Sequence, residues 1–503
     1  GQGLSAACGF ALNEKLHDTG KSVFCIMGDA EQAKGQTSEA RKFAVHHKLN
    51  NIIALIDRNH IQISGMTEDV MNVNIQANYL ADGWKVIEVN GHNIPEINDA
   101  VSTAKSDPDA PYCIVAETVM GHGIPFMEGT PEYHGKTLDH NEYIKACEHL
   151  NTQSDCNRYR EMRENPKWTE FPIKGHGQRK DFVPPEKAFW TDKMDLRGSW
   201  GKYLDAAEKN SNIVVFDCDL GSSVKTGIFA KSNPGKFIQS GVMEHNVATL
   251  AGALSIDPDL NVFWADFGMF NVAEVYNQLR LNDINHANLN IISTHIGIDV
   301  GEDGKTHQSI DYISLFRNLF GFKVYLPGDF NQLQHILEEV FRDYGNKFVG
   351  MGRSKLDAVK KHNGEIFYDK DYVWERGRID EIRAGEDFWI ISTGQVAVEA
   401  QKAADILRSK NIGAGHYHMA TPLEANPDFF RERNIPRLAV TVEDHNLNTG
   451  LGAIVVENLG KHTSVEKLGV SHYYYSGKAT SLYAKAGIDA KGIVEKISQL
   501  LSI

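Results

Sequence analysis

The sequence lacks an apolar run of about 20 residues, the length that a helix needs to cross a lipid bilayer. It also lacks an opening segment with the basic and apolar parts of a secretory signal. We therefore expect a cytoplasmic protein that has no membrane partner. No low-complexity tract interrupts the chain, so an ordinary globular protein is expected.

Cysteine is scarce, and the spacing of the cysteines is not that of a metal site. Several lie inside apolar runs, which is typical of reduced side chains that fill space in a core. The six cysteines are Cys8, Cys25, Cys113, Cys147, Cys156 and Cys218. They predict neither a disulfide framework nor a zinc site.

Basic residues are not in excess, because 52 Lys and Arg face 66 Asp and Glu, for a net charge of −14. The two signs are interspersed along the chain, which argues against a nucleic acid as the main partner. A phosphorylated small molecule is still compatible, since it needs only a local cluster of cations. The 503 residues are too many for one core, so two to four domains are expected.

Apolar and helical patterns divide the chain into three α/β segments. Residues 1–150 alternate strand-like runs (SVFCIM, NIIALID, PYCIVAET) with the helical pattern TSEARKFAVHHKL, which is typical of a parallel sheet. Residues 151–190 are polar and without a period, as in a linker. Residues 191–370 and 371–503 contain further α/β patterns, among them NVFWADFGMF and RLAVTVED. We expect three consecutive α/β domains with mostly parallel sheets.

Two polar residues of the first segment each follow an apolar run. VFCIM is predicted to form a buried strand that ends at Gly28, just before Asp29, and NIIALI to return as its parallel neighbour shortly before Asn59. Both side chains then lie at the carboxyl edge of the sheet, where such sheets bind ligands. Their oxygens suit Mg²⁺ with phosphate ligands. The alternative is structural, with Asp29 capping a helix and Asn59 in a turn.

The sequence from GDAEQAKGQTSEA to DRNHIQISG resembles the thiamine-diphosphate motif of transketolases, which runs GDG…EG…EA…L.N.I…D.N.I.I.G. The resemblance extends from GQGLSAACGFAL to VEDHNLNTGLGAIVVENL. It implies a diphosphate-binding, a pyrimidine-binding and a C-terminal domain, with thiamine diphosphate and Mg²⁺ (or Ca²⁺ or Mn²⁺) as cofactors. It assigns Asp29, Asn59 and the carbonyl of Ile61 to the metal, and Ala30, Ile63 and His134 (in GTPEYHGK) to the cofactor.

The same resemblance gives roles to residues of the second segment. Glu244, in QSGVMEHNVATLAGAL, matches the glutamate that pairs with the cofactor aminopyrimidine and promotes its ionisation. Phe267 and Phe270, in WADFGMF, match the aromatic residues around that ring, and Asp219 matches a residue that contacts the cofactor and its intermediate. Without the resemblance, Glu244 could merely favour a helix N-terminus, and the Phe pair could be core.

The stretch THIGIDVGEDGKTHQS resembles the transketolase pattern TH…GEDG.THQ. It implies that Asp303 and His307 bind donor hydroxyl groups and that His295 approaches a phosphate. Glu244, His134 and His307 are the implied catalytic residues. Arg197, Ser223 and Arg353 match the phosphate-anchoring positions, which favours sugar phosphates as substrates. The structural alternative is a charged surface loop.

Three features depart from the family pattern. Ala30 replaces a glycine, which would cost about 1 kcal/mol if that position required a positive φ or a close approach of the backbone to phosphate. Lys34 replaces a glutamate that is thought to couple the two active sites of the dimer. Family chains also carry a further segment before GQGLSAA. We expect that the sequence is trimmed, that a separate polypeptide supplies the segment, or that the protein is non-catalytic.

The expected activity is transketolase, the reversible transfer of a two-carbon ketol unit between sugar phosphates. The expected assembly is a homodimer with active sites at the interface, each using Asp29 of one protomer and Glu244 of the other. Related alternatives are a deoxyxylulose-phosphate synthase or the E1 part of a 2-oxo acid dehydrogenase, which take pyruvate or another oxo acid as donor. A different alternative is a catalytically silent binding or regulatory subunit.

Overall fold

A computed structural model describes residues 1–166, 177–179, 181–210, 212–432, 435–459 and 462–502. The chain divides into two compact units, Gly1–Lys174 and Gly175–Ile503, each of which is considered by itself. Within the described residues, the helices are too short or too polar to cross a membrane.

The first unit is built on a parallel sheet of four strands in the order β1-β2-β6-β5. The strands of this sheet are β1 (Val23–Gly28), β2 (Ile52–Arg58), β5 (Lys85–Asn90) and β6 (Tyr112–Glu117). Two short strands, β3 (Ile61–Gln62) and β4 (Gly65–Met66), pair separately as a hairpin. Its helices are α1 (Gly3–Leu16), α2 (Gly35–His46), α3 (Thr67–Val70), α4 (Ile75–Asp82), α5 (Ile94–Ser106), α6 (His140–His149) and α7 (Cys156–Glu164).

The prediction of two parallel neighbours joined by a helix is confirmed for β1, α2 and β2. The prediction that β1 is buried is wrong. Strand β1 lies at the sheet edge, and its Phe24 and Ile26 side chains are 49% and 79% exposed. Because these residues alternate with the buried Cys25 and Met27, the strand buries only one face. Its unbroken apolar pattern therefore did not distinguish an edge strand from a central one.

The predicted linker, residues 151–190, contains helix α7, and its residues 167–176 and 180 lie outside the described part of the chain. The domain limits proposed from the sequence stay predictions.

The second unit contains two larger sheets. Its strands are β7 (Met194–Asp195), β8 (Ile213–Asp217), β9 (Phe237–Gln239), β10 (Asn261–Phe267), β11 (Asn290–Thr294), β12 (Lys323–Tyr325), β13 (Lys347–Gly350), β14 (Lys355–Leu356), β15 (Ile379–Arg383), β16 (Phe388–Ser392), β17 (Ala414–Met419), β18 (Leu438–Asn446) and β19 (Ser464–Val470). The first sheet is parallel with the order β12-β13-β11-β10-β8-β9. The second has the order β15-β17-β16-β18-β19, and only β15 pairs antiparallel within it. The expectation of an α/β protein with mostly parallel sheets is confirmed.

Helices cover these sheets and complete their cores. They are α8 (Leu196–Ala206), α9 (Gly221–Val224), α10 (Gly227–Ser232), α11 (Glu244–Leu254), α12 (Tyr276–Ile284), α13 (Tyr312–Phe316), α14 (Phe330–Arg342), α15 (Ala397–Ser409), α16 (Asp428–Glu432), α17 (Leu451–Asn458), α18 (Ala479–Ala486) and α19 (Ala490–Leu501). Aliphatic side chains and a group of aromatic rings fill the first core, where the Phe263 and Phe341 centroids lie 4.3 Å apart. Close packing of this core keeps the first sheet of the second unit rigid and so supports the loops at its carboxyl edge.

The register of the six-stranded sheet in the second unit brings several loops to one edge of that sheet. Asp217 of β8 is opposite Ala265 of β10, and Phe267, the last residue of β10, is opposite Thr294 of β11. The segments that follow these parallel strands therefore emerge side by side. Most residues that the sequence singled out in this unit belong to those segments.

Candidate active site

Asp29 lies at the carboxyl edge of the first unit's sheet, directly after β1. Its side chain is nearly buried, and Oδ2 accepts hydrogen bonds from the His60 backbone N–H at 3.0 Å and from the Thr67 hydroxyl at 3.2 Å. Asn59 follows β2, and its Oδ1 accepts the backbone N–H of Ile61 at 3.0 Å. Asp29 therefore lies next to the segment that contains Asn59, as the sequence predicts. Carboxylate, amide and carbonyl oxygens of this kind could hold a hard divalent cation.

A short hairpin follows Asn59 and carries the next two predicted cofactor residues. Ile61 is buried in β3, which pairs with β4, whereas Ile63 at the turn is 76% exposed. The backbone of Gly135 lies against the Ile63 side chain, because a Cβ at Gly135 would be 3.6 Å from Ile63 Cδ1. His134 precedes this glycine in an exposed turn. The structure thus brings the His134 loop and the hairpin together.

His60 and Thr67 are residues of this site that the sequence analysis missed. His60 adopts a positive φ of 60°, and its ring lies between two carboxylates, with Nδ1 at 2.5 Å from Glu68 and Nε2 at 2.9 Å from Glu117. Glu68 first and Glu117 second raise the pKa of His60. His60, which lies between the predicted metal ligands Asn59 and Ile61 in the sequence, is therefore anchored by hydrogen bonds on both sides of its ring.

Ala30 causes no backbone strain of the kind that the sequence suggested. It begins a 3₁₀ turn (Ala30–Ala33) and is not among the residues with positive φ. The expected cost of about 1 kcal/mol for a left-handed alanine does not arise. Lys34 is exposed at the N-cap of α2.

The second unit contains a cavity of about 420 Å³ at the carboxyl edge of its first sheet. We call it the substrate cavity. Its lining residues are Arg197, Ser222, Ser223, Lys225, Phe267, His295, Asp303, His307 and Arg353. All six residues that the sequence assigned to the substrate are in this set, together with Phe267. Ser222 and Lys225 were missed, although both lie close to Ser223 in the sequence.

His295 is held in an unusual conformation in the wall of the substrate cavity. It has a positive φ of 58° and is only 3% exposed. Its Nδ1 lies 2.8 Å from the Thr294 hydroxyl, and its Nε2 lies 3.4 Å from the Arg197 guanidinium. Burial, reinforced by Arg197 and Arg353, lowers the pKa of His295 to about 3. The imidazole is therefore neutral at physiological pH and can donate one hydrogen bond.

Two arginines are fixed in the same wall. Arg197 donates to the backbone carbonyls of Ser223 at 3.1 Å and Arg353 at 2.9 Å. Arg353 donates to the Val300 carbonyl at 3.0 Å and forms an ion pair with Glu302 at 2.6 Å. These contacts leave two guanidinium groups beside the neutral His295, an arrangement suited to an anion.

Asp303 and His307 are carried by a glycine-rich loop that requires close backbone packing. At Gly297, φ is 74°, and an added Cβ would come within 2.1 Å of the Asp444 side chain. Asp444 accepts the backbone N–H groups of Ile298 at 2.8 Å and Asp299 at 3.2 Å. The loop is thus positioned from the second sheet of the unit, by a residue that the sequence analysis did not single out.

Glu244 begins helix α11, as the sequence predicts, and is partly buried. One carboxylate oxygen of Glu244 lies within 4.8 Å of ligand atoms of both Cys218 and Asp266. The Phe267 and Phe270 rings stack with centroids 6.0 Å apart, and His307 lies edge-on to Phe270 at 5.4 Å. The predicted aromatic pair therefore lies beside the substrate cavity.

Asp219 is exposed after β8 with a positive φ of 66°, and its N–H donates to Gln239 at 2.8 Å. This conformation fixes the Asp219 backbone at the carboxyl edge of the sheet. Asp219 is not among the residues that line the substrate cavity.

Family models match almost the whole chain in order. The model of the transketolase thiamine diphosphate binding domain matches residues 1–164, that of the transketolase pyrimidine binding domain residues 192–357, and that of the transketolase C-terminal domain residues 377–493. The transketolase of Rattus norvegicus is 28% identical over 511 residues, covering 100% of this chain and 80% of its own. Transketolase-like protein 1 of Bos taurus is 26% identical over 515 residues, covering 100% and 84%.

Solved structures share the fold. The transketolase of Campylobacter jejuni superposes with a TM-score of 0.82 at 23% identity, covering 100% of this chain and 82% of its own. That of Leishmania mexicana gives 0.78 at 21% identity, covering 99% and 79%. A structure described as a split gene transketolase, inactive β4 tetramer, gives 0.54 at 28% identity and covers 62% of this chain and 99% of its own.

Proposed function

Because the chain belongs to the transketolase family, we propose that it is a thiamine-diphosphate-dependent transketolase that moves a two-carbon ketol unit from a ketose phosphate to an aldose phosphate. The observation that carries the proposal is the substrate cavity, which gathers all six residues assigned to a sugar phosphate. The shared fold alone would not support this activity, since one fold can carry unrelated activities.

The first unit supplies the diphosphate site. Asp29, Asn59 and the carbonyl of Ile61 hold Mg²⁺, for which a carboxylate, an amide oxygen and a carbonyl are suitable ligands. Ca²⁺ or Mn²⁺ can replace Mg²⁺ in such a site. Thr67 and the His60 N–H keep the Asp29 carboxylate in place through its Oδ2 atom. Ala30 and Ile63 would contact the bound cofactor, and His134 would reach it from the adjacent loop.

The second unit supplies the groups that act on the cofactor's ring. Bound thiamine diphosphate would supply the electron sink for transfer of the ketol unit. Glu244 would hydrogen-bond the aminopyrimidine and hold the proton that is exchanged there, and Phe267 and Phe270 would pack against the ring. Asp219 would contact the cofactor from the loop after β8. His307 holds a donor hydroxyl group and moves a proton at that oxygen.

The substrate cavity selects a phosphate ester. Arg197 and Arg353 provide charge, Ser223 provides a directed donor, and the neutral His295 approaches the phosphate from the same wall. Asp303 and His307 bind hydroxyl groups of the sugar. A cavity with these cations is poorly matched to substrates without a phosphate, so the E1 alternative is less well supported. His295, which lines the cavity, is the residue that favours a transketolase over a deoxyxylulose-phosphate synthase, whose product is also a sugar phosphate.

We propose a homodimer in which each active site uses Asp29 of one protomer and Glu244 of the other, as the resemblance implies. The split gene transketolase shows that a protein of similar sequence can be encoded in parts. That precedent supports a separate N-terminal polypeptide as a second possible partner of this chain.

The test is turnover of xylulose 5-phosphate and ribose 5-phosphate by the wild type and the Glu244→Gln variant. We expect Glu244→Gln to lose at least tenfold in kcat, equivalent to about 1.4 kcal/mol, while thiamine diphosphate and Mg²⁺ still bind. The matched control is Glu274→Gln, because Glu274 pairs only loosely with His245 at 3.8 Å. A fully active Glu244→Gln variant would remove that residue from the mechanism. A wild type that binds no thiamine diphosphate would favour the silent subunit.

A further inference from the structure

Glu244 has a second carboxyl group as a close neighbour. We call Glu244 and Asp266 the carboxyl pair. Glu244 is the first residue of α11, Asp266 is the penultimate residue of β10, and Cys218 follows β8 directly. The Cys218 Sγ and one oxygen from each carboxylate lie within 4.8 Å of one another. Two carboxylates at this separation in a poorly hydrated site do not both ionise readily.

Asp266 is poorly equipped to carry a charge. It is completely buried, its Oδ1 accepts the Phe267 N–H at 2.7 Å, and its Oδ2 has no hydrogen-bond partner. The nearby Asp217 is equally buried but well satisfied. Asp217 accepts from the Leu220 N–H at 2.8 Å, the Thr226 hydroxyl at 2.8 Å and the Gln239 amide at 3.1 Å.

The surroundings of Asp266 reinforce this difference. Asp217, Cys218 and Glu244 are the titratable groups that face it. Burial first, and then the charges of Glu244 and Asp217, raise the pKa of Asp266 well above its ordinary value. Burial also raises the pKa of the Cys218 thiol. A neutral thiol and a neutral acid are poor metal ligands, so we interpret the cluster as a proton-sharing group.

We propose that Asp266 is a positioning residue that keeps its proton and donates a hydrogen bond to Glu244, so that the carboxyl pair never carries more than one negative charge. This inference rests on the role proposed for Glu244. Whenever Glu244 is ionised, as it would be after giving its proton to a bound aminopyrimidine, the Asp266 hydroxyl stabilises the Glu244 carboxylate. The proton returns by the reverse path, and no other bond is made or broken.

A consequence at alkaline pH distinguishes this role from simple packing. Loss of the Asp266 proton would place two negative charges side by side and remove the donor to Glu244. Turnover of the wild type should therefore fall as Asp266 ionises. Asparagine has nearly the same shape, still donates through its amide and cannot ionise, so Asp266→Asn should remove this alkaline loss.

The first arm of the test needs no cofactor and uses thermal unfolding from pH 5 to 9. Since the pKa of Asp266 is raised by folding, its contribution to stability is present at acid pH and is lost as pH rises. The Tm of Asp266→Asn minus that of the wild type should become more positive with pH, by about 2–4 °C or more. Asp217→Asn, the matched control, should lower the Tm throughout. An Asp266→Asn chain that does not fold, or that loses as much Tm as Asp217→Asn at every pH, would overturn the inference.

The second arm asks whether Glu244 is the partner. In a Glu244→Gln background the pH-dependent gain from Asp266→Asn should shrink, because one of the two charges is gone. If the pH-dependent gain in Tm is the same in both backgrounds, Glu244 is not the partner of Asp266 and the inference is overturned. These two arms decide the inference even if the protein shows no transketolase activity.

The third arm measures kcat against pH with thiamine diphosphate, Mg²⁺ and xylulose 5-phosphate. Asp266→Asn should keep most of the activity at neutral pH and extend the alkaline limb upward by about one pH unit or more, a tenfold change in proton concentration. Asp266→Leu, which cannot donate, should lose at least tenfold. Equal losses in Asn and Leu variants, with no change in the pH profile, would contradict positioning through a hydrogen bond. An inactive wild type would instead contradict the proposed function.

Discussion

Glu302 and Arg353 form an ion pair in the wall of the substrate cavity, with Oε2 and Nη1 at 2.6 Å. The pair is accessible, since the Glu302 side chain is 63% exposed and that of Arg353 is 35% exposed. A phosphate that binds Arg353 must therefore displace or share with the Glu302 carboxylate. The loop that carries Asp303 and His307 thus also carries a carboxylate that would compete with phosphate for Arg353.

Glu302→Gln should strengthen the binding of phosphate. Exposed ion pairs are weak, so the gain in affinity should be at most a few-fold. Titration calorimetry with inorganic phosphate measures it directly. The control is Glu457→Gln, which removes another accessible pair, with Arg317. Weaker phosphate binding by Glu302→Gln would mean that Glu302 orders Arg353 rather than competing for it.

Asp444→Asn should loosen the loop that carries Asp303 and His307. The Asp444 carboxylate accepts two backbone N–H groups of that loop and the Tyr483 hydroxyl at 2.9 Å. The free energy of unfolding should fall by about 1–3 kcal/mol, the cost of leaving a buried donor unsatisfied. Chemical denaturation measures this loss. Tyr483→Phe removes only one donor to Asp444 and should reduce the free energy of unfolding by less. A larger loss for Tyr483→Phe than for Asp444→Asn would contradict the role given to Asp444.

The stability difference between the wild type and Asp444→Asn should depend on pH. Burial raises the pKa of Asp444 from 3.8 to about 7. A carboxyl whose pKa is raised by folding stabilises the folded state below its ordinary pKa and loses that contribution as pH rises. The advantage of the wild type should therefore be greatest near pH 4, shrink by up to about 1.4 kcal/mol per pH unit as the pH rises toward 7, and be lost or reversed there. A stability difference between the wild type and Asp444→Asn that does not change with pH would contradict a raised pKa.

Asp29→Asn should weaken the metal-dependent binding of thiamine diphosphate. Replacing a charged ligand by a neutral one removes a charge-assisted contact worth about 1.5–3 kcal/mol, or roughly 10- to 150-fold in affinity. Calorimetry with Mg²⁺, and after its removal by a chelator, separates the metal's contribution. Asp99→Asn, an exposed change in α5, is the control. If chelation leaves wild-type binding unchanged, Asp29 is not a metal ligand.

The sequence was most informative where function depends on a contiguous segment. The positions of Asp29 and Glu244 followed from strand and helix patterns, and the family resemblance selected the residues that line the substrate cavity. The shape of a βαβ unit is encoded locally, because its strands and helix lie close in the chain.

Relationships between distant segments could not be predicted in this way. The exposure of Phe24 and Ile26 depends on what packs against their face of the sheet, which their local apolar pattern does not encode. Asp266 becomes a partner of Glu244 only when β10 and α11 pack together, and Asp444 reaches the glycine-rich loop from 145 residues away or more. Such carboxylates look like ordinary strand residues until the tertiary structure surrounds them.

Transfer of an isotope label tests the proposed activity most directly. The purified protein, with thiamine diphosphate and Mg²⁺, would be given xylulose 5-phosphate labelled with ¹³C at its two ketol carbons and unlabelled ribose 5-phosphate. Mass spectrometry should find both labelled carbons in a seven-carbon sugar phosphate, and the Glu244→Gln variant should form it at least tenfold more slowly. Label that stays in the five-carbon donor, under conditions in which the cofactor is bound, would contradict transketolase activity.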